Sequence, residues 1–206
     1  MLFRAATRSA IIDYIQGKHA IGLADIAYYY FDFRDSKKQD CYGLLSSLVL
    51  QLSVQSDSSS RILSKLYSDV GPVLTPTVNA LKTCIKDMLS QPGQGPIYII
   101  VDGLDECPNP PGTRSARGEV QELIKELVDL QLPNLHLCVA SRPEMDIRKA
   151  LESLDVLQLS LHDEPGQEAD IVTYITSVVN SNNVPDWTEE DENLVVKTLS
   201  QKANGM

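Results

Sequence analysis

The pattern of apolar positions along the chain predicts short buried strands that alternate with amphipathic helices. Residues 97–101 form a continuous apolar run rich in β-branched side chains, which is typical of a strand buried in a parallel sheet. Residues 24–33, 135–140 and 156–161 also predict strands. Apolar residues recur at helical spacing in residues 2–16, 44–54, 62–70, 77–90, 119–130 and 147–154. Strands that alternate with helices predict an α/β fold, with a parallel sheet covered by helices on both faces.

The pattern changes to helices alone from Gln167 onward. Apolar residues share one face of the helix that begins there, and acidic residues follow Thr188 as in the first turn of a last helix. At the other end of the chain, Gly17 is expected to end the first helix. The predicted organisation is therefore a core over residues 1–164, followed by the start of an all-helical lid domain over residues 165–206.

Composition and charge exclude several classes of function. The chain of 206 residues has a net charge of −10 and a pI of about 4.7. An acidic chain without a basic run argues against binding to nucleic acid or to an anionic membrane. No apolar run is long enough to span a bilayer. The four cysteines lack zinc-ligand and redox spacing, which predicts reduced thiols and a cytoplasmic location.

The first ten residues admit two interpretations. Arg4 and Arg8, with hydroxyl residues and no acid, suit a mitochondrial transit peptide. The helical pattern, however, continues without a break through Ile15. This continuity favours the first helix of the domain.

Three acidic residues follow the central strand directly: Asp102, Asp105 and Glu106. The carboxyl ends of parallel strands are where α/β sheets bind their ligands. Carboxylates there are placed to bind Mg²⁺ through oxygen atoms and to orient a water molecule. The alternative is an acidic loop that has no chemical role.

Residues 98–106 resemble the extended Walker B motif of NACHT-type STAND P-loop NTPases, although Tyr98 occupies the first apolar position. Residues 139–144 resemble the strand end and polar sensor of the same family, with Ala140 in the place of the usual threonine. The aromatic strand and the following Asp32-Phe33 resemble fungal NACHT proteins that are grouped with nephrocystin-like sequences. This resemblance covers about residues 9–206.

The resemblance implies roles for four residues. Asp102 would bind Mg²⁺ and thereby contribute to ATP binding, and Asp105 would act as the catalytic base or orient the attacking water. Glu106 would be a supporting catalytic acid. Arg142 would sense the γ-phosphate of ATP; the alternative is that Arg142 only pairs with Asp105 or Glu106.

The Walker A loop of the family is expected just before the first helix, where this chain starts with Met1-Leu2-Phe3-Arg4. Gly17-Lys18 follows a helix and has neither an upstream glycine nor a following Ser or Thr, so it does not predict a phosphate loop. The first strand and the phosphate loop of the P-loop NTPase-like fold are therefore expected to be missing. The family order (second, third, fourth, first, fifth strand) then leaves a gap beside residues 135–140.

The leading hypothesis is a truncated or degenerate NACHT-like NTPase core, deficient in hydrolysis, whose intact relatives use ATP and Mg²⁺ to switch a signalling assembly. Binding of ATP and Mg²⁺ by this chain is doubtful on that hypothesis. The second hypothesis is a non-catalytic interaction scaffold that retains the fold. A third is an unrelated Mg²⁺-dependent hydrolase that uses the three acids alone. Protein partners or self-association are expected because unpaired strand edges invite pairing.

Overall fold

The computed structural model describes residues 2–71, 74–110, 115–154, 157–159, 167–179 and 187–202. It divides into two compact units: residues 9–156, and residues 1–8 together with 157–206. The domain boundary predicted at residue 164 lies outside the described residues and stays a prediction. In the part of the chain that is described, no helix has the length and apolar character needed to cross a membrane.

The elements follow one another in the alternating order that the sequence predicts. They are α1 (Leu2–Ala20), β1 (Asp25–Tyr30), α2 (Cys41–Ser53), α3 (Asp57–Val70), α4 (Val78–Leu89), β2 (Ile97–Asp102), α5 (Ala116–Val128), β3 (Leu135–Ala140), α6 (Met145–Glu152), α7 (Gln167–Val179) and α8 (Glu189–Lys202). The helices α7 and α8 contact each other within the second unit.

The three described strands form one parallel sheet in the order β1-β2-β3. Asp102, the last residue of β2, lies between Tyr30 of β1 and Ala140 of β3. The predicted α/β fold with a parallel sheet is confirmed, and this neighbour order is the one expected for the second, third and fourth strands. Half of the strand predicted at 156–161 lies outside the described residues, and the described half, residues 157–159, belongs to no helix or strand.

Helices cover both faces of the sheet. On one face, Ile99 of β2 is fully buried in a core that includes Leu45 of α2, Ile85 of α4 and Leu123 of α5. On the other face, Ile12 and Ile15 of α1 pack against Ile26 and Ile100. The alternation of side chains along each strand is what divides the apolar residues between these two cores.

The first helix does not end at Gly17, as its sequence predicts, but continues to Ala20. Gly22 has a φ of 71°, its N–H donates to the carbonyl of His19 at 2.9 Å, and Leu23 N–H donates to the carbonyl of Lys18 at 3.0 Å. These two bonds form a Schellman motif, which needs a left-handed residue that glycine supplies. A glycine inside a helix costs only about 1 kcal/mol, so Gly17 does not end it.

The outer edge of β1 is closed by two glutamine side chains, one on α2 and one just after it. Gln55 accepts a hydrogen bond from Ile26 N–H at 2.8 Å and donates to the carbonyl of Ile26 at 2.7 Å. Gln51 does the same for Tyr28, at 3.0 and 2.8 Å. A primary amide both accepts and donates hydrogen bonds, so each side chain substitutes for a neighbouring strand. This edge of the sheet is therefore satisfied at these two residues without a strand beside it.

We expect the Glu126→Gln substitution to lower the free energy of unfolding at pH 7 by about 1 kcal/mol. Glu126 of α5 accepts hydrogen bonds from Lys82 and Lys86 of α4, both at 2.7 Å. Burial raises the pKa of Glu126, but the two lysines outweigh it and hold the pKa below its ordinary value of 4.5. Because the pKa of Glu126 is lower in the folded state than in the unfolded state, its ion pairs stabilise the fold at pH values above the unfolded-state pKa. This stabilisation is lost as the pH falls through the folded-state pKa.

The measurement is urea unfolding of both proteins from pH 7 down to pH 3. The stability difference between them should shrink below about pH 4.5 as Glu126 becomes protonated. Glu152→Gln is the control, since its ion pair with Arg148 is 3.7 Å long and exposed on both sides. A difference that is constant across this pH range would contradict the assignment.

Candidate functional site

The acidic segment after β2 is a tight turn anchored in the core. Asp102 is only 2% exposed, and the next residue, Gly103, has a φ of 69°. A Cβ atom on Gly103 would lie 3.2 Å from the carbonyl oxygen of Phe31, so glycine is favoured here by both backbone conformation and space. The chain then makes a 3-10 turn over Leu104–Glu106, in which Leu104 is fully buried. This turn presents Asp105 and Glu106 at the carboxyl edge of the sheet.

Asp105 and Arg142 lie together at this edge, as expected for residues that follow neighbouring parallel strands. The backbone N–H of Arg142 donates to Asp105 Oδ1 at 2.8 Å. Arg142 Nε lies 3.4 Å from Asp105 Oδ2. The Asp105 side chain is 7% exposed, whereas that of Arg142 is 68% exposed. Pairing of Arg142 with an acid of the neighbouring loop, the alternative left open by the sequence, is thus present in this structure.

Glu106 joins the loop after β2 to the loop after β1. Its Oε2 accepts a hydrogen bond from the backbone N–H of Phe33 at 3.4 Å. In the same loop, Arg34 Nε and Nη2 each donate to the carboxylate of Asp32 at 2.9 Å. These hydrogen bonds hold the pKa of Asp32 at about 2. The edge of the sheet therefore carries the Asp32–Arg34 pair in the loop after β1, next to Glu106 in the loop after β2.

Asp102 is suited to bind Mg²⁺ by its position at the end of β2 and by its carboxylate group. Among the residues that the structure describes, no group of three or more His, Cys, Asp or Glu side chains converges to hold a metal ion. Mg²⁺ in phosphotransfer sites is commonly bound by one or two carboxylates together with water and substrate phosphates. One buried carboxylate at the end of the central strand agrees with that arrangement, which depends on the nucleotide for further ligands.

Arg117 of α5 is a buried arginine that the sequence analysis did not identify. Its side chain bonds the backbone of the loop after β2. Arg117 is 9% exposed. Its Nε donates to the carbonyl of Cys107 at 2.9 Å and its Nη2 donates to the carbonyl of Asp105 at 2.6 Å. Its Nη1 lies 3.2 Å from both carboxylate oxygens of Asp146 in α6. Arg117 precedes the helix predicted at residues 119–130, and no pattern in the sequence indicates this role.

The cysteines are poorly suited to covalent chemistry at this edge. All four are free, as predicted. Burial raises the pKa of Cys107 to about 12, against the opposing effect of Arg117. Burial, and then the charge of Asp102, raise the pKa of Cys138. Neutral thiols are poor nucleophiles and poor metal ligands.

Gly17 and Lys18 lie in the last turns of α1, which confirms that this Gly-Lys pair is not a phosphate loop. The backbone N–H groups of a phosphate loop must point at the ligand, whereas those inside a helix are already hydrogen-bonded. Lys18 Nζ lies instead over the ring of Tyr14, 4.9 Å from its centroid.

Comparison with known protein families gives a match over most of the chain. The family model described as nephrocystin 3, N-terminal, matches residues 6–142, more than half of the chain. The matched segment begins in α1 and ends at Arg142, so it includes Asp102, Asp105 and Glu106. Searches of curated proteins and of solved structures found no match.

Proposed function

Since the chain belongs to the nephrocystin 3 N-terminal family, which is NACHT-related, we propose that it is part of a nucleotide-dependent signalling switch. Residues 97–142 supply the Walker B and sensor elements of a NACHT-like STAND NTPase module. ATP with Mg²⁺ is the ligand, and the assembly state of the protein is the output. The protein acts in the cytoplasm through protein partners or self-association.

The observation that carries this proposal is the position of Asp102 beside the Asp105–Arg142 pair. Asp102 is buried at the end of the central strand, where it would bind the Mg²⁺ ion that neutralises the phosphates. Asp105 is fixed by its bonds to Arg142 and would orient the attacking water. Glu106, on the same turn, would support the charge balance of the site.

Arg142 is suited to a sensor because its two contacts with Asp105 differ in kind. The backbone N–H contact fixes the end of β3 to the acidic loop. The guanidinium contact is longer and lies in a largely exposed side chain, so solvent screens it and its net stabilisation is below about 1 kcal/mol. A phosphate group can compete for this guanidinium, because arginine binds phosphate in a bidentate manner.

A second function, a non-catalytic interaction scaffold, is favoured by the same ion pair. With Arg142 on Asp105, the charges at this edge are partly balanced without a nucleotide. A scaffold of this kind would keep the fold and the loop geometry but would not respond to ATP. Affinity for ATP distinguishes the two functions.

The test is calorimetric titration of ATP with Mg²⁺ into the full-length natural protein and its Asp102→Asn variant. We expect Asp102→Asn to weaken binding at least 10-fold, about 1.4 kcal/mol. Asp129→Asn, an exposed acid at the end of α5, is the control and should bind as the unmodified protein does. Absence of binding by the unmodified protein would support the scaffold, and equal binding by Asp102→Asn would refute the role of Asp102.

A protein of residues 1–206 alone is a further arm of the same titration. It should bind ATP only weakly, because three acids and one arginine at the site repel a triphosphate unless Mg²⁺ bridges them. A form with a phosphate loop fused before residue 1 should bind more tightly, because such a loop supplies phosphate-binding backbone N–H groups. Micromolar binding by residues 1–206 would contradict the expectation that this segment lacks its own phosphate loop.

A further inference from the structure

Asp105 is held at both of its ends. Its carboxylate accepts the hydrogen bond from Arg142 N–H and pairs with the Arg142 guanidinium. Its backbone carbonyl accepts the 2.6 Å hydrogen bond from Arg117 Nη2. The position of the carboxylate is thus set by two arginines, one acting on the side chain and the other on the backbone.

The two arginines are connected through a short segment of chain, so the contacts form a closed ring. Residue 142 leads into α6, whose first turn contains Asp146. Glu144 N–H donates to the carbonyl of Arg142 at 2.8 Å, which fixes the intervening turn. Asp146 then pairs with Arg117 at 3.2 Å. The ring runs from Asp105 to Arg142, through α6 to Arg117, and back to Asp105.

We propose that Arg117 is a positioning residue that couples the acidic loop to α6, so that movement of Arg142 away from Asp105 is transmitted to that helix. This inference rests on the proposed nucleotide site and adds a link from that site to α6. The planar guanidinium donates to two carbonyl groups and one carboxylate. A lysine ammonium has the charge but not this fixed planar set of donors.

Asp146 retains other donors when Arg117 is replaced, which makes the substitution a workable test. Asn109 Nδ2 donates to Asp146 at 2.9 Å and Gln121 Nε2 donates to it at 3.3 Å. The Arg117→Lys variant also keeps the positive charge beside the carboxylate. We therefore expect the Arg117→Lys variant to fold, with residues 103–107 displaced and the rest of the unit of residues 9–156 unchanged.

The experiment compares the full-length protein, its Arg117→Lys variant and an Arg148→Lys control by hydrogen exchange. Arg148 lies on α6, but it is exposed and its ion pair is with Glu152 at 3.7 Å. We expect exchange at residues 103–107 and 142–146 to rise together, at least 10-fold, in Arg117→Lys and to stay unchanged in Arg148→Lys. A rise across β2 and α2 as well, or a rise at residues 103–107 alone, would overturn the coupling.

Nucleotide affinity gives a second measurement. A purely structural role would not change binding of ATP with Mg²⁺ and binding of ATP alone by different amounts. We expect Arg117→Lys to weaken binding of ATP with Mg²⁺ about 10-fold and to leave binding of ATP without Mg²⁺ unchanged, because the acids act through the metal. Equal weakening of both would overturn the positioning role. If the unmodified protein binds neither form, the proposed function fails, and the exchange pattern alone then decides the coupling.

Discussion

The Leu48→Ala substitution is expected to lower the free energy of unfolding by about 2–5 kcal/mol, because it removes a fully enclosed side chain. Leu48 has no exposed surface and lies on α2, in the core that α2 shares with the sheet and α4. The lost methyl groups no longer bury apolar area, and the cavity left behind closes only in part. Urea unfolding of the two proteins, followed by circular dichroism, measures the difference.

Leu50→Ala is the matched control, two residues away on the same helix. Leu50 is 59% exposed, so we expect a change within about 0.5 kcal/mol. A cost below about 1 kcal/mol for Leu48→Ala would be too small for this burial. Equal costs for both variants would mean that α2 does not present this face to the sheet.

The Gly43→Ala substitution should cost about 1–3 kcal/mol, the range for forcing extra atoms into a well-packed site. A Cβ atom on Gly43 would lie 2.6 Å from the carbonyl oxygen of Lys37 and 2.8 Å from the hydroxyl of Tyr29. One of these contacts is backbone, so the start of α2 has to move. The Asp40 cap, which accepts the N–H of Gly43 at 2.7 Å, would move with it. The midpoint of thermal unfolding reports the loss.

Gly17→Ala is the opposite case and serves as its comparison. Gly17 lies inside α1, and nothing is within 4 Å of the position that a Cβ atom would take. Alanine should therefore stabilise the helix by about 0.5–1 kcal/mol, through its lower backbone entropy in the unfolded chain. The two substitutions are chemically identical and should change the unfolding midpoint in opposite directions. A decrease for both would contradict the space found around Gly17.

The sequence predicted two of the strands closely because each is a short apolar run between residues that favour turns. The strand predicted at residues 24–33 is shorter in the structure, Asp25–Tyr30, and residues 157–159 do not form the strand predicted there. The strand at residues 135–140 was predicted residue for residue, and β2 extends the predicted run by one residue, Asp102. Parallel-strand geometry then placed Asp102, Asp105 and Arg142 at a single edge of the sheet from the order of the strands alone. Features that depend only on hydrophobic periodicity and on the order of the strands could therefore be predicted from the sequence.

The features that the sequence did not predict depend on contacts between distant residues or on backbone conformation. Either Gly17 or Gly22 could end α1 on sequence grounds. Only the backbone conformation shows that Gly22 adopts the left-handed region and ends the helix. Arg117 lies just before the helix predicted at residues 119–130, and solvent exposure is the ordinary expectation for an arginine. Its partners Asp105 and Asp146 lie 12 and 29 residues away in sequence. No local pattern encodes such separations.

The two glutamines that bond the outer edge of β1, Gln51 and Gln55, make that edge a poor place to add a strand. A peptide designed to bind by adding a strand needs a row of unoccupied backbone groups. At β1 it would first have to displace the four hydrogen bonds that Gln51 and Gln55 make with Ile26 and Tyr28. A strand-mimicking ligand is therefore not expected to add to the sheet at Ile26 and Tyr28 of β1.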